Sequence, residues 1–197
     1  MAIATFNAVG FCPHYSQPGD WAFDYALGLA RRHQIRLNVF HFLKDPFNPE
    51  DNLADSLSPE ERAQLAVARE KELRLYYDSR AGDYLDVGFR LCEHSEWLEL
   101  HRCLLVREFQ VLVLGQICHG ATFGGRPIEE FADSFVCPVV LVGPERRNQF
   151  LLNRPAQLIV DKLGVEAEDW SLIDRSQLAK SAEARRKASS VACGALS

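Results

Sequence analysis

Short, nearly continuous apolar runs alternate along the chain with stretches whose apolar residues recur at helical spacing. The first run covers 3–11 and reads as a strand buried on both faces of a sheet. Turn residues Pro13, Ser16, Pro18 and Gly19 follow. A helix is predicted from about Asp20 to Arg32, with Trp21, Tyr25, Ala26, Leu29 and Ala30 on one face. Arg31, Arg32 and His33 fall in its last turn, where positive charge suits the helix dipole. A second strand is predicted over 36–43 and a loop over 44–57.

Ser58-Pro59-Glu60-Glu61 is a helix start: Ser58 can cap, Pro59 suits the first position and Glu61 can close a capping box. That helix should run to about Asp78, ahead of Gly82. A third strand is expected over 84–92. A helix over 96–107 follows, capped by Ser95, with Trp97, Leu100, Leu104 and Leu105 inward. A fourth strand covers 109–114 and ends at Gly115. The glycine-rich stretch 115–125 leads to a helix opened by Pro127, in which Ile128, Phe131, Ala132 and Phe135 share a face. A fifth strand, Val139 to Val142, stops at Gly143-Pro144. Strict alternation of strands and amphipathic helices implies an α/β fold with an open five-stranded parallel sheet and helices on both faces. Ligands in such sheets bind outside the carboxyl ends of the strands.

After Pro144 the rhythm stops. The chain therefore reads as an α/β domain over 1–147 and a C-terminal extension over 148–197. Phe150, Leu151, Leu152, Leu158, Ile159, Val160, Leu163, Trp170 and Ile173 can dock the extension on the domain or on a partner. Residues 176–197 hold no aromatic side chain and read as a short basic helix or a disordered tail. Within them, residues 185–190 (Arg-Arg-Lys-Ala-Ser-Ser) look like a basophilic kinase site, and more simply like a tail.

Composition narrows the function. The chain is 47% hydrophobic and 25% charged, as globular proteins are. Its net charge of −5 argues against nucleic acid or an anionic membrane surface as partner. The acids concentrate between Asp45 and Glu72, where eight face three basic residues. No apolar run is long enough to span a membrane. The first residues have no basic region ahead of their apolar run, so no signal peptide is expected. Six scattered cysteines without a CxxC pair then read as reduced thiols in the cytoplasm.

Two passages resemble the universal stress proteins. Residues 6–45 match the family's first strand, first helix and second strand, with Asp24-Tyr25-Ala26-Leu27, Leu29-Ala30 and His41 near the end of the second strand. Residues 109–144 match its C-terminal signature: a strand ending in Gly115, a glycine loop, a helix, then Cys137-Pro138-Val139-Val140-Leu141-Val142. The resemblance implies a Rossmann-like sheet of order 3-2-1-4-5. It also implies a homodimer, paired in many members through the last strand, here Val139, Val140, Leu141 and Val142. Some members bind ATP or AMP; others bind none and act as stress-linked regulators.

Glycines ahead of a helix can cradle phosphate with backbone N–H groups. Gly115, Gly120, Gly124 and Gly125 have that placement, and Arg126 adds a charged donor. The plainer reading is a glycine-rich strand-to-helix connection. Set against the family's ATP loop, Gly115 matches the first glycine and Gly125 the last. Cys118 stands at the second glycine, Arg126 replaces the hydroxyl residue, and the loop is shorter. Gly10 stands where ATP-binding members carry an aspartate. Phe42 lies where members recognise adenine through main chain. No cofactor is therefore assigned firmly; ATP or AMP is the one the resemblance would bring.

Other candidates have plainer readings beside them. Cys92, His94, His101 and Cys103 tempt a metal reading, but their spacing fits no familiar zinc pattern. Cys118 beside His119 could be a redox-sensitive thiol, paired with Cys12. No GxSxG, HExxH or P-loop lysine motif is present. Residues 10–14 are not the SGGxDS-type loop of pyrophosphatase relatives. The expectation is a non-enzymatic stress-type regulatory or binding protein, acting as a homodimer, with its extension as the surface for a protein partner. A nucleotide-binding switch is the alternative, and a nucleotide hydrolase ranks last.

Overall fold

The computed structural model describes residues 7–48, 50–51, 53–176 and 178–180. Residues 3–6 of the first predicted strand lie outside them, as do the basic run 185–190 and Cys193. The elements in order are β1 (Ala8–Cys12), α1 (Gln17–His33), β2 (Arg36–Phe42), α2 (Pro59–Ala81), β3 (Val87–Cys92), α3 (Glu96–Leu105) and β4 (Val111–Gly115). Then come β5 (Thr122–Phe123), β6 (Arg126–Pro127), α4 (Ile128–Asp133), β7 (Val139–Val142), β8 (Phe150–Leu152), α5 (Arg154–Gln157), α6 (Val160–Leu163) and β9 (Trp170–Leu172).

Local chemistry sets the helix ends. Ser16 accepts a hydrogen bond from the Gly19 N–H at 3.1 Å, and Pro18 fits the first turn, so α1 starts at Gln17 rather than Asp20. At α2 the predicted capping box forms in full between Ser58 and Glu61. The helix runs to Ala81 and stops at Gly82, whose φ of 60° is a left-handed value that glycine tolerates. Ser95 precedes α3 without a side-chain capping bond, contrary to expectation. Leu105, expected inward, is 82% exposed because α3 ends there.

The five expected strands pair in parallel in the order β3-β2-β1-β4-β7. Alternate residues feed two apolar layers. Val9, Phe11, Leu37, Val39, Val111 and Val113 pack with α1 and with Leu73 and Tyr77 of α2. Cys12, Phe40, Phe42, Leu112, Leu114 and Leu141 pack with α3 and α4 on the other side.

Two features depart from the expected plan. The sheet has seven strands, not five. β8 pairs antiparallel to β7, with Val140 opposite Leu152 and Val142 opposite Phe150, and β9 then pairs in parallel with β8. So Val139, Val140, Leu141 and Val142, expected to join two copies, lie inside the sheet and are fully buried. The physical reason is that an apolar strand with an unpaired ladder is the least tolerable edge of a sheet, and the extension supplies the missing strand. The extension also docks on α1: Tyr25 Oη donates to Leu163 O at 3.0 Å, and Leu163 is fully buried. Leu158, expected as an anchor, is 84% exposed.

The second departure is in the glycine stretch. Thr122 pairs with Pro127 and Phe123 with Arg126 in a tight antiparallel hairpin. Gly124 and Gly125 form its turn, with φ of 58° and 74°. Positive φ at both central residues is the hairpin geometry that matches strand twist, and it favours glycine.

Candidate functional site

The carboxyl ends of β1, β2 and β4 form the edge where such sheets place ligands. The backbone does not leave it empty. At the end of β4, the first turn of α1 sits directly on Gly115, where an added Cβ would meet Pro18 O at 2.8 Å. Gly115 thus serves helix-to-strand packing. Gly10 is mid-strand in β1 rather than at its end, beneath the Phe40–Phe109 ring pair. An aspartate there would have no room and no cleft to face.

Between β2 and α2 the chain crosses the edge as a strap. Gly124 N donates to Pro46 O at 2.8 Å, and the Phe47 ring packs edge-on to His14 and Phe123 with centroids 4.7 and 5.0 Å away. The strap divides the edge into two clefts that share Phe42, Asp45 and Pro46. One, about 440 Å³, lies against α2 and is walled by His14, Tyr15, His41, Arg69 and Glu72. The other, about 450 Å³, lies toward α3 and carries Asp51, Glu93, Glu96, Gly124 and Gly125. Of the six predicted site residues, Phe42 and Gly125 share this second cleft. Gly10, Gly115, Gly120 and Arg126 line neither cleft.

Phosphate finds little at this edge. α4 has six residues, no side-chain cap, and Glu129 and Glu130 in its first turn. Gly124 lies against the Glu96 carboxylate, where a Cβ would come within 2.8 Å of Oε2. The Arg126 guanidinium lies over the Trp97 ring, 5.2 Å from its centroid. The main chain after β2 is also occupied. Arg69 Nη1 donates to Phe42 O at 3.2 Å and to Leu43 O, while Nη2 reaches Asp51 Oδ2 at 3.4 Å. Burial raises the Asp51 carboxyl pKa, but N–H donation from Asp45 and Leu53 together with Arg69 outweighs it and holds the group below its usual value.

Two histidines stand at the first cleft. His41 is 5% exposed and neither ring nitrogen has a hydrogen-bond partner among the described residues. Burial lowers the pKa of His41, and burial lowers that of His14 despite nearby Asp45. With folded values depressed below 6.5, the unfolded chain takes up these protons first. Their contribution to stability is therefore complete above pH 6.5 and is lost as pH falls through the depressed folded values. Melting temperature should drop across that window, and His41→Leu should flatten the drop; an unchanged slope in the variant would contradict it.

The remaining candidates separate. The Cys12 thiol is fully buried in the α3–α4 layer and burial pushes its pKa well up, the opposite of an activated thiol. Cys118 is exposed, and His119 faces Glu145 at 3.1 Å. Cys92 and Cys103 are buried, His94 lies toward Glu99, and His101 stacks on Phe135 while its Nδ1 meets Trp97 O at 2.8 Å. Among the described residues no group of three or more His, Cys, Asp or Glu is placed to hold a metal ion, and no helix is long and apolar enough to cross a membrane. Sequence reasoning missed Arg69, Asp45 and His14. Arg69 carries no motif, since it is one charge among many on α2.

No protein-family model matches the chain, and no curated protein does. Solved structures do. The universal stress protein UspA from Lactobacillus plantarum superposes with a TM-score of 0.53 at 17% identity, over 71% of this chain and 99% of that one. The chain has the universal stress protein fold. A universal stress protein family member from Burkholderia pseudomallei is matched at 21% identity and a TM-score of 0.47, covering 70% of this chain and 96% of that one. A universal stress protein in complex with cAMP is matched at 18% identity and 0.48, covering 71% and 99%. Nearly the whole of UspA is thus matched by about seven-tenths of this chain.

Proposed function

We propose that this protein is a non-catalytic binding or regulatory protein on the universal stress fold, working at the carboxyl edge of its sheet without a bound nucleotide. The observation that carries this reading is the use made of the glycines. Gly124 turns a hairpin with Gly125, lies against Glu96 and gives its N–H to Pro46 O, and Gly115 seats α1, so neither Gly124 nor Gly115 is free to wrap phosphate. Arg69 on the Phe42 and Leu43 carbonyls supports it further, because the main chain that would meet a base already has a partner. Five free cysteines among the described residues fit a reducing compartment, which supports a cytoplasmic protein.

The competing reading is an ATP or AMP switch with a variant loop led by Gly120, Gly125 and Arg126. Calorimetry with ATP, AMP and cyclic nucleotides separates the two. No binding tighter than about 100 μM is expected. Tighter binding that disappears in Arg126→Ala would establish the switch instead. Native mass spectrometry of fresh protein should show no bound nucleotide and gives the subunit count in the same spectrum. Any pairing of two copies would use a surface other than β7, whose ladder β8 completes.

A further inference from the structure

The cleft between the strand ends and α2 has a preference of its own beyond its lack of a phosphate cradle. Among the described residues its only lysine or arginine is Arg69, and that guanidinium is engaged by two carbonyls and Asp51. An anion entering there meets no uncommitted cation. On the negative side, Glu72 is exposed at the rim with no cation partner among the described residues. Asp45 has one carboxylate oxygen taken by Phe47 N at 3.0 Å. The neighbouring cleft, across the strap, adds Glu93 and Glu96, while its Asp51 is paired with Arg69 and its Lys44 with Asp55. The resulting field favours a positive guest.

A second, independent observation points to a ligand. His41 forms part of the wall of this cleft, is 5% exposed, and leaves both ring nitrogens unpaired. Buried polar groups are almost always paired. A neutral imidazole keeps one acceptor nitrogen, which suits an N–H donor. Burial that lowers the His41 pKa keeps the ring neutral near pH 7. The remaining walls are apolar or aromatic, among them Tyr15, Phe42 and Leu73. A space of about 440 Å³ is ample for one small flat molecule.

We propose that this cleft binds a small organic ammonium ion with a flat apolar body, an arylalkylamine in class. The ammonium would lie toward Glu72 and Asp45 and donate to His41, with its ring against Tyr15 and Phe42. The inference rests on the reading above that the carboxyl edge takes a ligand other than a nucleotide.

The test uses the full chain and three probes that share a phenethyl body and differ in charge: phenethylamine, phenethyl alcohol and phenylpropionate. Calorimetry should show the amine binding in the submillimolar range, with the alcohol and the anion weaker by about tenfold or more. Glu72→Gln, an exposed change that leaves packing alone, should weaken the amine by about three- to fivefold. Saturation with amine should move the imidazole nitrogen resonances of His41. Phenethyl alcohol or phenylpropionate binding as tightly as the amine would overturn the proposal, as would amine binding that leaves His41 unmoved. So would an amine that shows no binding at all. ATP, run in parallel, keeps the two ideas apart: silence from both ATP and amine removes only the amine, whereas tight ATP binding removes the non-nucleotide reading beneath it.

Discussion

Asn153→Ala is expected to destabilise the protein by about 3 kcal/mol or more, since it leaves several buried backbone groups unpaired at once. Asn153 is fully buried at the end of β8. Its Oδ1 accepts from Val139 N at 2.9 Å and from Ala156 N at 3.1 Å, the second bond capping α5. Its Nδ2 donates to Cys137 O at 2.9 Å and to Ala132 O at 3.1 Å, with Phe135 O at 3.5 Å. One side chain thus ties the start of β7, the end of α4 and the first turn after β8. Each buried group left unpaired costs about 1–3 kcal/mol, and the lost cap about 1 kcal/mol. Against a total stability of about 5–15 kcal/mol, the loss is large. Urea unfolding measures it. A change below about 1 kcal/mol would show that the network relaxes or rehydrates, and that the extension is not bound through this residue. Asn153→Asp is the control: it keeps the two accepted bonds, loses both donors and buries a charge, so it too should destabilise.

Asn153 also marks where the sequence stopped being readable. The five parallel strands were legible because each is a four- to seven-residue apolar run flanked by turns, with an amphipathic helix between successive runs. The capping box at Ser58 and Glu61 was legible because its chemistry is local. β8 and β9 were not. Each has three residues, too few to show a period, and each exists only because a distant strand lies beside it. Phe150, Leu151 and Leu152 were visible as anchors, but nothing local says that their backbone completes the β7 ladder. A buried asparagine reads as a loop residue until its five partners are in place.

The glycine stretch failed differently. Gly124-Gly125 between Thr122-Phe123 and Arg126-Pro127 carries a hairpin signature in its own residues. The resemblance drew attention to phosphate and away from it. The candidate site was therefore only half legible. Phe42 and His41, singled out by the resemblance at the end of strand two, both line the first cleft. Arg69, which occupies the Phe42 carbonyl, comes from mid-helix α2 and required the tertiary fold to be seen. Gly10 was matched through the resemblance to the end of strand one, whose true end is Cys12.

Cutting the chain after Arg147 is expected to abolish the well-behaved full-length species and give dimers and larger assemblies. The cut removes Phe150, Leu152, Ala156, Leu163, Val165 and Ile173 from the two apolar layers. At about 1.5–3 kcal/mol for each large side chain, the lost burial is on the order of 10 kcal/mol, comparable with the whole stability of a domain. It also strips β8 from β7 and leaves four apolar residues with an open ladder. A strand of that kind pairs with whatever edge it meets, and a second copy offers an identical one. The extension thus does within one chain what the resemblance assigned to a partner subunit. Light scattering and thermal melting of residues 1–147 beside the full chain give the answer. A truncated protein with the same mass distribution and a melting temperature within a few degrees would mean that β8 and β9 merely decorate the sheet. Leu151→Pro in the full chain is the milder form, since proline cannot take part in the antiparallel ladder opposite Leu141. It should shift the assembly in the same direction while leaving every apolar residue beyond position 151 in place.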